Sequence, residues 1–411
     1  MLKQVYSIAI ASRVITITLA IATYFFTGSY DSSGEIQLDT ATKNLLNVFL
    51  RWDALYFLHI AEKGYVLEQE TAFFPVMPLL ARLAANTVFL PLQSLLGNRY
   101  TLLLSGIMIA NVSFVLAAGA LYKLTLAALP KSKHLAYVSS IAFCLSPPAM
   151  FMSSFYTESL FAFMSFTGMR WVTQKKYLQS ALIWGIVSAV RSNAIVYSGF
   201  FFYDLVWIRL INRQNFITGL LRSVIYASIT ASGFALFQYY VYSEFCSLDR
   251  PWCMQRLPLV YSFVQKEYWD NGFLSYYEIK QIPNFVLAAP IIAISVFGLK
   301  AYIQNDSIAF WTLGVRRDKQ NTKKDNYYSP RLAVFMYLWA FLLLFATTTM
   351  HIQVIIRFFT SVPPFYWFVG NLWIKGLCEG KNRLIANIVL GYFAIYGLIG
   401  IVLFSSFLPP A

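Results

Sequence analysis

Long apolar runs separated by basic clusters constrain this chain more than any other feature. They extend from Ile8 to Phe26, Thr101 to Leu129, Leu135 to Cys144, Phe155 to Phe166, Leu178 to Ile208, Val224 to Tyr242, Phe285 to Leu299, Leu332 to Met350, Ile352 to Trp373 and Leu384 to Phe407. A stretch of about 20 apolar residues suffices for one helical crossing of a bilayer. Only 12% of the 411 residues are charged and mean hydropathy is +0.58. A soluble domain carries about a quarter charged residues, so a water-soluble fold of this length could not cover itself. Alternating strand patterns are absent, which excludes a β-barrel. The chain reads as an all-α polytopic membrane protein, a single integral membrane domain over residues 1–411.

The charge balance orients the crossings. There are 32 Lys and Arg against 18 Asp and Glu, a net charge of +14. The excess sits between apolar runs, at Lys131, Lys133 and His134; at Arg170, Lys175 and Lys176; at Arg209 and Arg213; at Arg316, Arg317, Lys319, Lys323 and Lys324; and at Lys375, Lys381 and Arg383. Basic loops stay cytoplasmic. No basic stripe accompanies a groove-reading element, so nucleic acid is not a partner. Lys3 and the following apolar run resemble a signal peptide, but Arg13 lies inside the run and no clean cleavage site follows; the segment reads as an uncleaved first crossing. The run Leu178 to Ile208 is basic at both ends and interrupted by Arg191-Ser192-Asn193, so it reads as two short passes. With the N-terminus cytoplasmic, the parity closes at about 11 crossings. A long first non-cytoplasmic loop (28–100) carries interfacial helices, a second spans 246–282, and 300–331 is a basic cytoplasmic loop. Cys246 and Cys253 fall on the non-cytoplasmic side, where a disulfide is allowed; bridged and free thiols both stay open. The four cysteines have no metal-ligand spacing, so no metal site is expected.

Ionisable residues near a bilayer cost about 2.5–3.5 kcal/mol on insertion scales, which makes them functional candidates. Four groups stand out, and all map to the non-cytoplasmic side. Arg51-Trp52-Asp53 opens a helical stretch through His59, Glu62 and Tyr65, with Asp53 in the first turn, where the helix dipole favours a carboxylate. Asp53 could equally be no more than a helix start, and His59, six positions on, is turned about 120° away. Phe73-Phe74-Pro75-Val76-Met77-Pro78 has two prolines that break a helix and either line a lipid groove or turn the chain. Tyr156-Thr157-Glu158-Ser159 carries a carboxylate that is either catalytic or a structural partner of Arg191. His351, Gln353 and Arg357 suit a phosphate, Arg supplying a planar fork of donors, or else anchor the chain at the interface. Random placement would put four such groups on one side about one time in eight, given the sidedness rule. A carboxylate that takes a hydroxyl proton, cations that meet a departing phosphate and an aromatic groove are parts for group transfer from a lipid phosphate, with no metal required.

These blocks, Arg51-Trp52-Asp53, His59 to Tyr65, Ala72 to Leu79, Tyr156 to Ser159, Arg191-Ser192-Asn193 and His351-Ile352-Gln353, resemble the second mannosyltransferase of glycosylphosphatidylinositol (GPI) anchor assembly, the PIG-V family of the GT-C class. The matches run in order from about residue 50 to 370. The resemblance implies an endoplasmic reticulum membrane enzyme with a luminal active site. It implies dolichyl phosphate mannose as donor substrate, with no cofactor, and a mono-mannosylated GPI precursor lipid as acceptor. The product would carry a second mannose in α-1,6 linkage, formed with inversion. Asp53 would be the base, and Glu158 would orient the acceptor or support Asp53. Arg51, Trp52, Arg191, His351, Gln353 and Arg357 would face donor phosphate or sugar. His59, Glu62, Phe73, Phe74, Pro75 and Tyr156 would form the acceptor or lipid groove. Many GT-C relatives carry two adjacent acids in the first loop, whereas Asp53 lies between Trp52 and Ala54. Fungal members of the family act with a small membrane subunit, for which the sequence shows no site. The competing readings are a sibling GT-C transferase with another acceptor and a lipid transporter or scramblase. The latter would have paired broken helices in two related halves, and no halves repeat here.

Overall fold

The computed structural model describes residues 1–28, 30–31, 45–246, 250–315 and 325–409. Among them the regular structure is helical, with no strand. Helix α1 (Leu2–Phe26) is followed by two short helices of the first loop, α2 (Asp53–Lys63) and α3 (Val76–Ala85). Next come α4 (Gln93–Ala128), α5 (Lys133–Cys144), α6 (Glu158–Thr173), α7 (Tyr177–Ser188) and α8 (Ser192–Ile211). Helix α9 (Ile217–Phe245) leads to α10 (Val260–Glu267) of the second loop. The chain ends with α11 (Ile282–Asn305), α12 (Ala333–Thr349), the bent pair α13 (Ile352–Ser361) and α14 (Pro363–Cys378), and α15 (Arg383–Ser405).

Seven of these helical segments are long and apolar enough to cross a membrane, or eight if the pair α13–α14, bent by 85°, counts as one span. The other three apolar runs fold as α5, α6 and α7, with 12, 16 and 12 residues. At 1.5 Å per residue they reach about 18 to 24 Å, short of a hydrocarbon core about 30 Å thick. They pack against the longer helices, α6 against α4, α7 against α9 and α5 against α14, and α7 leaves Leu178, Leu182 and Ile186 exposed. The two short passes expected between Leu178 and Ile208 are one short helix and one full-length helix. The polar loop read as 300–331 is narrower, because α11 continues to Asn305; its five basic residues from Arg316 to Lys324 lie outside the described residues.

One local outcome differs from the sequence reading. Pro78 does not break a helix: it sits in the first turn of α3, where a backbone N–H has no intrahelical partner to lose. The first-loop helix α2 starts at Asp53, as expected, and buries Ala54, Phe57, Leu58 and Ala61, a stripe at helical spacing, against the core. Cys246 and Cys253 form a disulfide.

Arg13 on α1 is buried in the bundle, where its guanidinium donates to the Ala149 carbonyl (2.8 Å) and to the Ser153 hydroxyl (2.9 Å) and lies 3.7 Å over the Phe114 ring. It thereby fixes the irregular segment between Pro147 and Thr157 that delivers Tyr156 and Glu158. Arg13→Ala is expected to cost about 2–3 kcal/mol, since bonds from a charged donor are lost and their acceptors stay buried. The thermal unfolding midpoint of the detergent-solubilised protein measures this; an unchanged midpoint would contradict it.

Candidate active site

Four side chains from four elements meet in one ion network. Arg357 on α13 donates from Nη2 to Asp53 Oδ2 at 2.6 Å and from Nε to Glu158 Oε1 at 2.8 Å. Arg191, just before α8, donates from Nη2 to the same Glu158 oxygen at 3.3 Å. Glu158 begins α6 and has 0% side-chain exposure, whereas Asp53, Arg191 and Arg357 retain 26%, 20% and 13%. The Arg357 guanidinium lies 4.4 Å from the Phe151 ring centre and 4.9 Å from that of Tyr156, both faces that attract a cation.

The backbone that presents Asp53 is held from three directions. The Tyr156 hydroxyl donates to the Arg51 carbonyl at 2.8 Å. The Arg51 side chain is fully buried, its guanidinium 4.7 Å over Phe407 and 5.4 Å over Tyr24. Between them Trp52 adopts φ +43° and ψ −114°, a region that costs a non-glycine residue about 1–3 kcal/mol. Its ring is wedged against Phe404 and Phe407, with centroids 5.2 and 5.1 Å away. This turn sends neighbouring side chains in opposite directions, Arg51 into the core and Asp53 into a cavity.

That cavity measures about 600 Å³. Asp53, Arg191, His351 and Arg357 form its ionisable wall, and Phe73 and Phe74 also line it. Val196, Phe341, Phe345 and Phe358 make an apolar side, while Tyr261, Ser262, Gln265, Trp269 and Asn271 come from the second loop. His351 Nε2 lies 2.6 Å from the Trp269 carbonyl. A carbonyl only accepts, so Nε2 carries the proton and Nδ1 is left for a ligand. The ring stacks on Tyr276, 4.5 Å between centroids. Tyr56, one turn after Asp53, stacks on Phe73 at 4.7 Å. Burial, and after it the Asp53 and Glu70 charges, push the Tyr56 phenol above its ordinary range, so it stays neutral.

Several residues expected in the site stand elsewhere. Arg51 is core, Trp52 packs beneath the turn, and Tyr156 is buried behind Arg357; none of the three lines the cavity. Glu158 is also off the cavity, where it pairs with two arginines rather than reaching a ligand. Arg357, expected on a phosphate, is engaged by the two carboxylates. His59 Nδ1 meets Glu70 Oε1, and Glu70 Oε2 also accepts from the Val66 and Leu67 amides at 2.9 Å. Glu62 accepts from Arg99 Nε at 2.8 Å. These two residues brace the first loop rather than the groove. Pro75 precedes α3 beside Phe74 without lining the cavity, and Gln353 at the start of α13 does not line it either. The sequence reading missed Trp269, Gln265 and Asn271. Their signal was the mixture of aromatic and amide side chains in a loop otherwise noted only for its cysteines.

A family model described as Mannosyltransferase (PIG-V) matches residues 3–411. The GPI alpha-1,6-mannosyltransferase 2 of Cricetulus griseus is 32% identical over 489 residues, covering 99% of this chain and 98% of that protein. Its Homo sapiens counterpart is 32% identical over 492 residues, with the same coverage of 99% and 98%. The GPI mannosyltransferase 2 of Gibberella zeae is 34% identical over 392 residues, covering 90% of this chain and 88% of that one. Among solved structures, an Archaeoglobus fulgidus oligosaccharyltransferase tethered to an acceptor peptide aligns over 97% of this chain with a TM-score of 0.49 and 10% identity. This chain spans about half of that protein's length, 55%. The chain belongs to the PIG-V family of mannosyltransferases and is a glycosyltransferase.

Proposed function

We propose that this chain transfers a mannose from dolichyl phosphate mannose to a mono-mannosylated GPI precursor, forming an α-1,6 linkage at the luminal face of the endoplasmic reticulum membrane. The observation that carries the reading is the meeting of Asp53, Arg191, His351 and Arg357 on one wall of a cavity that also has an apolar side. A carboxylate, an arginine that can reach a phosphate, a histidine with an open ring nitrogen and room for a lipid are what such a transfer needs. The relatives, GPI alpha-1,6-mannosyltransferases 2, supply the acceptor class and linkage, and the family resemblance supplies the donor. On this reading α5, α6 and α7 are partial passes that complete about 11 crossings in a GT-C arrangement, with the N-terminus cytoplasmic. A small accessory membrane subunit, as in fungal members, would act beside it.

The donor is a β-mannoside and the product an α-mannoside, so the reaction is one displacement with inversion. The acceptor 6-hydroxyl oxygen attacks the donor C1 as the C1–O bond to phosphate breaks, and the bonding pair leaves with dolichyl phosphate. The hydroxyl proton passes to Asp53. Arg357 occupies Oδ2, so Oδ1 is the oxygen that receives it. A positioned base of this kind contributes about 10²–10⁴-fold. Arg191 meets the charge growing on the phosphate, while His351, whose Nε2–H is held by the Trp269 carbonyl, offers Nδ1 as an acceptor to a sugar hydroxyl. Arg357 holds Asp53 aimed through the 2.6 Å contact, and Glu158 holds Arg357 and Arg191; neither Arg357 nor Glu158 needs to touch substrate.

The purified full-length chain, given dolichyl phosphate mannose and a synthetic mono-mannosylated glucosaminyl-phosphatidylinositol in lipid, is expected to add one hexose that an α-1,6-specific mannosidase removes. Transfer from a nucleotide sugar instead of the lipid donor, or a different linkage, would contradict the reading.

A further inference from the structure

We propose that Gln265, Asn271 and Trp269 form the subsite that holds the glycan of the acceptor and so sets which acceptor is used. The inference rests on the reading above and names where its second substrate binds.

The cavity wall divides by chemistry. Its charged part is suited to a phosphate, but a glycan acceptor presents neutral hydroxyls to the reacting centre. Neutral amides beside an aromatic face match that chemistry: amides donate to and accept from hydroxyls, and the ring covers the apolar face of a pyranose. Gln265, Trp269 and Asn271 place this combination in one short segment of the cavity lining.

The amides are preorganised. Asn271 Nδ2 donates to Gln265 Oε1 at 2.6 Å, and the Asn271 backbone N–H donates to the Gln265 carbonyl at 2.9 Å. This leaves Gln265 Nε2 as a donor and Asn271 Oδ1 as an acceptor. Asn271 Oδ1 is buried and has no hydrogen-bond partner among the described residues, a condition with a cost that a ligand hydroxyl would relieve. Trp269 meets Phe73 and Tyr56 edge-on, with centroids 5.7 and 6.3 Å away. Tyr56 lies one turn from Asp53 on α2, so a sugar resting on Trp269 lies beside the base.

The segment is also clamped. Buried Glu68 of the first loop accepts from Trp252 Nε1 at 2.7 Å and from the Tyr268 hydroxyl at 2.9 Å. The Cys246–Cys253 disulfide closes the chain just before it. A recognition wall fixed to the element that carries the base can convert a misfitting acceptor into a misplaced hydroxyl.

The test is steady-state kinetics on the full-length enzyme with dolichyl phosphate mannose and synthetic mono-mannosylated glucosaminyl-phosphatidylinositol, each varied in turn. Gln265→Leu and Asn271→Ala are expected to raise the acceptor KM about tenfold with the donor KM unchanged within about twofold. Because the two amides act as a unit, the double variant should lose little more than either single one. Gln265→Glu keeps the acceptor that Asn271 bonds, and hence the fold of the segment, while removing the donor; it should show the same acceptor-selective effect. A rise in donor KM alone, or unchanged values for both substrates in folded variants, would overturn the subsite. Absence of transfer by the wild-type enzyme would overturn the proposed function itself, and the subsite with it.

Discussion

Asp53→Asn is expected to lower the turnover of mannosyl transfer by about 10²–10⁴-fold while leaving the protein folded. The substitution keeps an oxygen that can accept from Arg357 Nη2, so the 2.6 Å contact and the turn at Trp52 have no reason to collapse. What disappears is the charge and basicity that take the acceptor proton. A general base lost in this way lowers kcat and kcat/KM together, because the interaction is made only in the transition state. Asp53→Glu should also be impaired, since one extra methylene moves the carboxylate relative to a fixed acceptor site. Single-turnover transfer with both substrates saturating measures this. Retention of more than about a tenth of the wild-type rate by Asp53→Asn would remove Asp53 as the base.

Arg357→Ala is expected to remove activity and also to destabilise the protein by about 3–5 kcal/mol, the cost of deleting one partner of a buried ion pair. Glu158 has 0% side-chain exposure and would then rely on Arg191 alone at 3.3 Å. The part of the loss due to Asp53 is smaller, because solvent reaches that carboxylate and screens it. Arg357→Lys should fall between the two, since one ammonium cannot offer the fork that spans two carboxylates. The informative comparison is Arg357→Ala combined with Glu158→Gln. Neutralising Glu158 removes the uncompensated buried charge, so the double variant should unfold at a higher temperature than Arg357→Ala alone and yet remain inactive. Thermal unfolding in detergent and the transfer assay, run on the same preparations, separate these effects. If the double variant were less stable than Arg357→Ala alone, the network could not be the buried charge balance described here.

The grouping of the site was legible from the chain because ionisable residues are costly near a bilayer, and sorting them by loop charge put Asp53, Glu158, Arg191 and Arg357 together. In the structure those four side chains join in one network. The division of labour within it was not legible. Arg51 and Asp53 are two residues apart and were both read as site residues, but a positive φ at Trp52 turns one inward and the other outward. The rings that receive Arg51 come from α1 and from beyond α15, and no local pattern announces such partners. Arg357 carries a phosphate-binding chemistry that two carboxylates from distant segments have already claimed. The crossings were readable as apolar runs, but their lengths were not. Periodicity and hydropathy do not distinguish a helix that spans lipid from the short α5 packed inside a bundle. The wall formed by Gln265, Trp269 and Asn271 escaped notice because amides in a polar loop are ordinary until tertiary structure aims them at a cavity.

The most direct measurement is the profile of GPI intermediates in cells that lack their second GPI mannosyltransferase, expressing this chain or its Asp53→Asn variant at matched levels together with a cognate small subunit. The expected result is that the wild-type chain clears the one-mannose intermediate and the variant accumulates it. Clearance by both would contradict Asp53 as base, and accumulation in both would contradict the transfer of the second mannose.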